Sequence, residues 1–339
     1  MPSLSTQRRF WWCAAGTVAT IYTLILVGGI VRATGAGMGC PDWPTCFGQW
    51  IPPTSESQLP SNYQEIYAER GYADTEFNVR KTWTEYLNRL LGVFTGFTIL
   101  ATLIFSLAYR RSEPGVFFLA LAGFVLVGIQ GWLGSRVVAS NLMPGMITLH
   151  MLLAQVIVGI VIAALIRSAR HRYHSIKLES LPKLFYPLMI VAMIAGLVQL
   201  VMGTQVREAV DLIARSSDFT DRHLWIDNLP LIFSIHKYYA IALVGLNGWL
   251  VLMVLNHSQR PSLRRLSIAL AALTLGTIAI GMSMDRLHLP MFAQPLHLWF
   301  ASLIFGTQLA IMLIVQHART AASSSPKLQK DLELSARHA

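Results

Sequence analysis

Charge is what this 339-residue chain has little of: 13% of its residues are Asp, Glu, Lys or Arg, against 54% hydrophobic. A soluble domain carries about one-quarter charged residues, so roughly half the usual charge is missing and an ordinary soluble globule is excluded. The same excess of apolar side chain excludes a disordered chain. Three cysteines are too few to staple a disulfide scaffold. None of the apolar runs alternates with polar residues, which excludes a transmembrane β-barrel. A helical integral membrane protein remains, in keeping with a mean hydropathy of +0.50.

What is there is a series of eight apolar segments, near 11–31, 86–108, 115–138, 146–166, 184–206, 231–255, 266–284 and 292–315. Each approaches the ~20 residues that carry a helix across ~30 Å of hydrocarbon. Arg8 and Arg9 look like the charged front of a secretory signal. However, Val31-Arg32-Ala33-Thr34-Gly35 lacks a small-x-small cleavage pattern, so the first segment is predicted to be a retained helix. With the N-terminus inside, the inner loops and the C-terminal tail hold 16 Lys/Arg against 4 Asp/Glu, and the outer face 11 against 13. This positive-inside asymmetry puts both termini in the cytoplasm. It also accounts for a net charge of +10 and a pI near 9.8 with no role for nucleic acid. The tail after 318, with Ser323-Ser324-Ser325-Pro326, reads as disordered.

The chain repeats itself. Gly28-Gly29-Ile30-Val31-Arg32 closes segment 1 and Gly203-Thr204-Gln205-Val206-Arg207 closes segment 5. Leu149-His150, Ala154 and Gly159 match Leu296-His297, Ala301 and Gly306, and Asn88-Arg89 matches His236-Lys237. The expected fold is all-α: eight transmembrane helices arranged as two pseudo-symmetric four-helix bundles. Residues 1–170, with the long outer loop 33–85, form the first half and residues 171–318 the second, with 319–339 as the cytoplasmic tail.

The repeat-related positions carry the chemistry. His150, His236 and His297 lie near the outer ends of segments 4, 6 and 8. Two imidazoles facing each other across a bundle suit axial ligation of a haem iron, and buried polar groups are costly in lipid unless they serve a purpose. The plainer reading is a polar contact between helices. No Cys or carboxylate completes a zinc set beside them.

Gly28 to Gly37, followed by Cys40-Pro41-Asp42-Trp43-Pro44-Thr45-Cys46, resembles the signature of the haem A synthase family. So do Glu85-Tyr86-Leu87-Asn88-Arg89 and the three histidines, and the likeness covers about 10–318. It implies a bacterial inner (cytoplasmic) membrane enzyme, an oxidoreductase that converts haem O to haem A for terminal oxidase assembly. It implies a resident haem b on His236 and His297, a substrate haem on His150 in the N-terminal half, and Glu85 as the key carboxylate. Haem O synthase and terminal oxidase assembly factors are the candidate partners; membrane lipid surrounds the chain, and a homo-oligomer stays open.

This sequence departs from the family at Asn88, where a histidine is usual. Either the substrate haem is five-coordinate on His150 with an open face beside Asn88, or the half-site is inactive. Glu85 has a second reading, since Thr82-x-x-Glu85 fits a capping box and Glu85 with Arg89 an i,i+4 ion pair. As a catalytic carboxylate it would stabilise positive charge or deprotonate incoming water. Cys40 and Cys46 are expected to form a disulfide over the N-terminal site in an oxidising compartment, with a redox role as the alternative. Cys13 reads as a core residue. Arg32, Arg89, Arg207 and Lys237 ring the outer helix ends, either snorkelling or pairing with haem propionates. His171 and His174 read as solvated, and His223 and His288 fall in outer loops. A di-haem electron-transfer cytochrome and a haem chaperone without turnover are the competing classes.

Overall fold

The structure is a computed structural model describing residues 2–172, 181–217 and 220–336, without the side chains of 172 and 320–336. His174 lies outside the described residues. Eight long helices replace the eight predicted segments: α1 Leu4–Ala33, α2 Val79–Ser106, α3 Pro114–Ala139, α4 Pro144–Ser168, α5 Phe185–Ser216, α6 Leu231–His257, α7 Pro261–Arg286 and α8 Ala293–Ala336. All eight have the length and hydropathy to cross a membrane. The described residues form no strand.

Local chemistry sets the helix starts. Pro114, Pro144 and Pro261 open α3, α4 and α7 at the first turn, where a missing N–H costs nothing. Ser3 caps α1 through Thr6 N, and Asn78 caps α2 through Lys81 N. Because α2 starts at Val79, Thr82 lies inside its first turns. The capping-box reading of Thr82 and Glu85 is therefore corrected: the Thr82 hydroxyl donates to Gly39 O at 2.8 Å, tying a loop to the helix. α5 outruns its apolar segment by ten residues and carries Arg207, Glu208 and Asp211 beyond it. The tail read as disordered continues as α8 backbone to Ala336; its Ala, Leu, Lys, Gln and Glu are good helix formers.

Helices α1, α2, α3 and α4 pack in a ring, each against the next and α4 against α1. Helices α5, α6, α7 and α8 close a second ring in the same way. The rings meet where α8 packs on α1 and α4 and where α4 touches α5. Close approach at this seam needs small residues: a Cβ on Gly29 would stand 2.9 Å from Pro295 Cβ, and one on Gly159 3.3 Å from Leu309 Cδ2. Polar pairs cross it too, with Gln155 Nε2 donating to Ser302 Oγ at 2.8 Å and Thr148 meeting Thr204 at 2.9 Å.

Residues 34–78 cap the loop end of the first ring. Phe47 is their centre, its ring standing 5.2–6.3 Å from those of Tyr63, Tyr67, Tyr72 and Phe77, all edge-on. The Asp42 carboxylate accepts from Phe47 N and Gly48 N and from the Thr45 hydroxyl. Burial pushes the Tyr72 phenol well above its ordinary value, and its hydroxyl donates to Met38 O at 2.9 Å.

Candidate functional site

Four helix hairpins build the interior on one plan. Each of α2, α4, α6 and α8 presents a polar side chain against a glycine of the helix before it. A Cβ on Gly28 would lie 3.9 Å from Asn88 Oδ1, on Gly134 3.4 Å from His150 Cε1, on Gly203 3.4 Å from His236 Cε1, and on Gly281 3.2 Å from His297 Cε1. One turn before three of these glycines stand Gln130, Gln199 and Thr277. Gln130 Nε2 donates to His150 O at 2.9 Å and Gln199 Nε2 to His236 O at 3.0 Å. Thr277 O accepts from His297 Nδ1 at 3.0 Å. A carbonyl can only accept, so the proton of His297 sits on Nδ1 and the Nε2 lone pair is free for a metal. Sequence reasoning missed these supports. Their signal was a Gln or Thr four residues before a glycine on segments 3, 5 and 7, a period of one hairpin rather than one half.

In the second ring the rings of His236 and His297 stand 6.3 Å apart at 52°. His236 Nδ1 is buried without a partner. Gln199 Nε2 also stands 3.3 Å from His236 Nε2, and each imidazole of this pair has one ring nitrogen to offer a metal.

In the first ring a cavity of about 1660 Å³ holds His150 and Asn88 in its wall. Asn88 Oδ1, Gln130 Oε1 and His150 Nδ1 are buried there without partners. Its loop end is cationic. Arg32 and Arg207 share Asp211, at 3.3 and 2.7 Å, and Arg207 also reaches Gln294. Arg207 Nε remains buried and unpartnered, a free donor at the rim.

Glu85 lines the same cavity at 3% exposure. Its Oε2 accepts Cys40 N at 2.8 Å and its Oε1 meets Arg89 Nη2 at 2.5 Å and Nε at 3.2 Å. The other Arg89 protons go to Asp42 O, Thr45 O and Cys40 O. All five guanidinium N–H groups are thereby used, so Arg89 has none left for a propionate and the cofactor-binding reading gives way to a loop anchor. What it anchors is the turn closed by the Cys40–Cys46 disulfide, whose Trp43 and Pro44 line the cavity. Gly39 is obligatory in this turn, since a Cβ there would collide with the Lys81–Thr82 backbone.

The remaining predicted positions stand apart from the cavity wall. Lys237 pairs with Asp285 at 2.7 Å and lies over the Phe233 ring. His223 sits in the single turn Arg222–Leu224, and Arg222 donates to the main chain at His288 and Leu289. Cys13 is a free, half-buried thiol within α1.

Fold and site define a polytopic helical membrane protein with histidines in the interiors of two helix rings. The chain belongs to the cytochrome oxidase assembly protein family, whose profile matches residues 11–309. It is similar to the haem A synthase of Shewanella oneidensis, 22% identical over 92% of this chain and 98% of that one. The haem A synthases of Granulibacter bethesdensis and Brucella ovis match more locally. The first is 34% identical over 37% of this chain and 34% of its own, the second 29% over 40% and 38%.

Proposed function

We propose that this chain is a haem A synthase, which oxidises the methyl group of haem O to the formyl group of haem A. It is proposed to work in the bacterial inner membrane with both termini cytoplasmic, as the arginine-rich inner loops direct. The observation that carries this reading is the unlike pair of half-sites. A histidine pair stands 6.3 Å apart in the second ring; a single histidine faces a large cavity with cations at its rim in the first. A resident site and a substrate site have these different needs.

The residues of the second ring fit a resident haem b. Two imidazoles face each other there, that of His297 with its Nδ1 held by Thr277 O, which is a donor set suited to a haem. His236 and His297 would hold it, and when bound it supplies one-electron chemistry next to the substrate half. In the first ring His150 would take the iron of haem O, with Gln130 fixing the segment that carries it. Asn88 leaves the other axial position without an imidazole. Arg32 and Arg207 would receive the propionates, Arg207 through its free Nε.

With water as oxygen donor, turning a methyl into a formyl releases four protons and four electrons, the electrons passing to an external one-electron acceptor, and develops positive charge at that carbon. Glu85 places a carboxylate in the cavity wall, its charge balanced by Arg89, and can take a proton from the incoming water. Arg89 holds it in place, and the disulfide turn with Trp43 and Pro44 screens the site from bulk water.

The test is expression in a host that makes haem O but no haem A, followed by extraction of membrane pigments. Haem A is expected to appear with the wild-type chain. Haem O alone, with the protein present at normal levels, refutes the assignment.

A further inference from the structure

Below Asn88 and His150, away from the loop face, the cavity changes character. Gly92 and Gly96 follow Asn88 by one and two turns on α2, and Gly131 and Gly128 precede Gly134 by about one and two turns on α3. All four line the cavity, and a Cβ on any of them would meet nothing within 4 Å. Glycine weakens a helix interior, so four facing open space keep room clear rather than allow close packing. Around them the wall is apolar, with Ile21, Ile99, Phe124 and Ile157. Thr95 interrupts it with a hydroxyl already spent on Leu91 O, and one further polar side chain does so with an atom to spare. Gln155, five residues deeper than His150 and 2% exposed, gives its Nε2 to Ser302 but leaves Oε1 buried without a partner in the cavity wall.

A cavity with guanidinium groups at one end and a glycine-lined apolar arm at the other fits a ligand with carboxylates at one end and a long hydrocarbon at the other. We propose that the arm between α2 and α3 is the binding groove for the isoprenoid tail of haem O, and so the feature that selects haem O over haem B. The hydroxyl borne where that tail joins the ring is the donor that Gln155 Oε1 lacks. The inference rests on the haem O reading above and deepens it.

Full-length protein is titrated with haem O and with haem B, which shares the ring, iron and propionates but has no tail. Wild type should bind haem O at least about tenfold more tightly, since the tail buries many methylenes. Gly96→Leu and Gly128→Leu should each erase that margin while holding haem B affinity within about twofold. Farnesol should weaken haem O binding to wild type and spare haem B, a test that needs no variant to fold. Equal wild-type affinity for the two haems overturns the tail groove, as do leucine variants that weaken both alike or farnesol without effect on haem O. In those cases the haem site itself still stands. Failure of both haems to bind overturns both readings.

Discussion

Glu85 and Arg89, one turn apart on α2, meet at 2.5 Å and between them hold the main chain of the Cys40–Cys46 turn at Cys40, Asp42 and Thr45. The carboxylate that faces the cavity is thus also the post on which its cover hangs. Breaking one partner of a buried pair costs about 3–5 kcal/mol. Arg89→Ala should therefore free the turn, raising the rate at which reductant and alkylator reach Cys40 and Cys46. An unchanged rate contradicts the anchoring role.

Glu85→Gln keeps the shape and removes the charge. It should leave haem O affinity within about twofold while lowering conversion by about a hundredfold. Conversion at the wild-type rate would reduce Glu85 to an anchor alone.

The disulfide closes only a short turn, and such a bridge contributes about 2 kcal/mol. Alkylation without reductant should label neither Cys40 nor Cys46. A Cys40→Ser, Cys46→Ser double variant with full turnover would remove any redox role for the pair.

Much of this was legible in the sequence. Eight spans and the histidine positions follow from hydropathy and from the repeat that matches His150 with His297. The function of Arg89 was not legible, because its partners are loop carbonyls some 44–49 residues upstream, and carbonyls have no residue signature. Thr82 was misread for the same reason: its acceptor is Gly39 O, so a pattern typical of a helix start marks instead a loop lying on the helix. Asp211 was invisible as the shared partner of Arg32 and Arg207 because apolar patterning ends α5 before it.

Asn88 stands where the other three hairpins carry a histidine and is the most direct handle on the proposed substrate site. Haem O bound to wild type should be high-spin and take up cyanide. Asn88→His should make it low-spin and six-coordinate, given that Asn88 occupies the hairpin position held by His150, His236 and His297. A low-spin spectrum from wild type would mean that another side chain supplies the second ligand.

His236→Ala or His297→Ala should abolish the sharp reduced α-band of a bis-imidazole haem, while Thr277, which holds His297 only through its main-chain carbonyl, should tolerate Thr277→Val with that band intact. Retention of the band in both histidine variants contradicts the resident site.

The central claim is that haem O is oxidised in the first ring while the second holds its own haem. It is tested most directly by haem O turnover of purified wild-type and His150→Ala protein, with pigments separated by chromatography and the spectrum of the bound haem recorded alongside. Wild type should produce haem A, and His150→Ala should produce none while retaining the low-spin haem of the second ring. Haem A formed by His150→Ala at the wild-type rate would contradict the account.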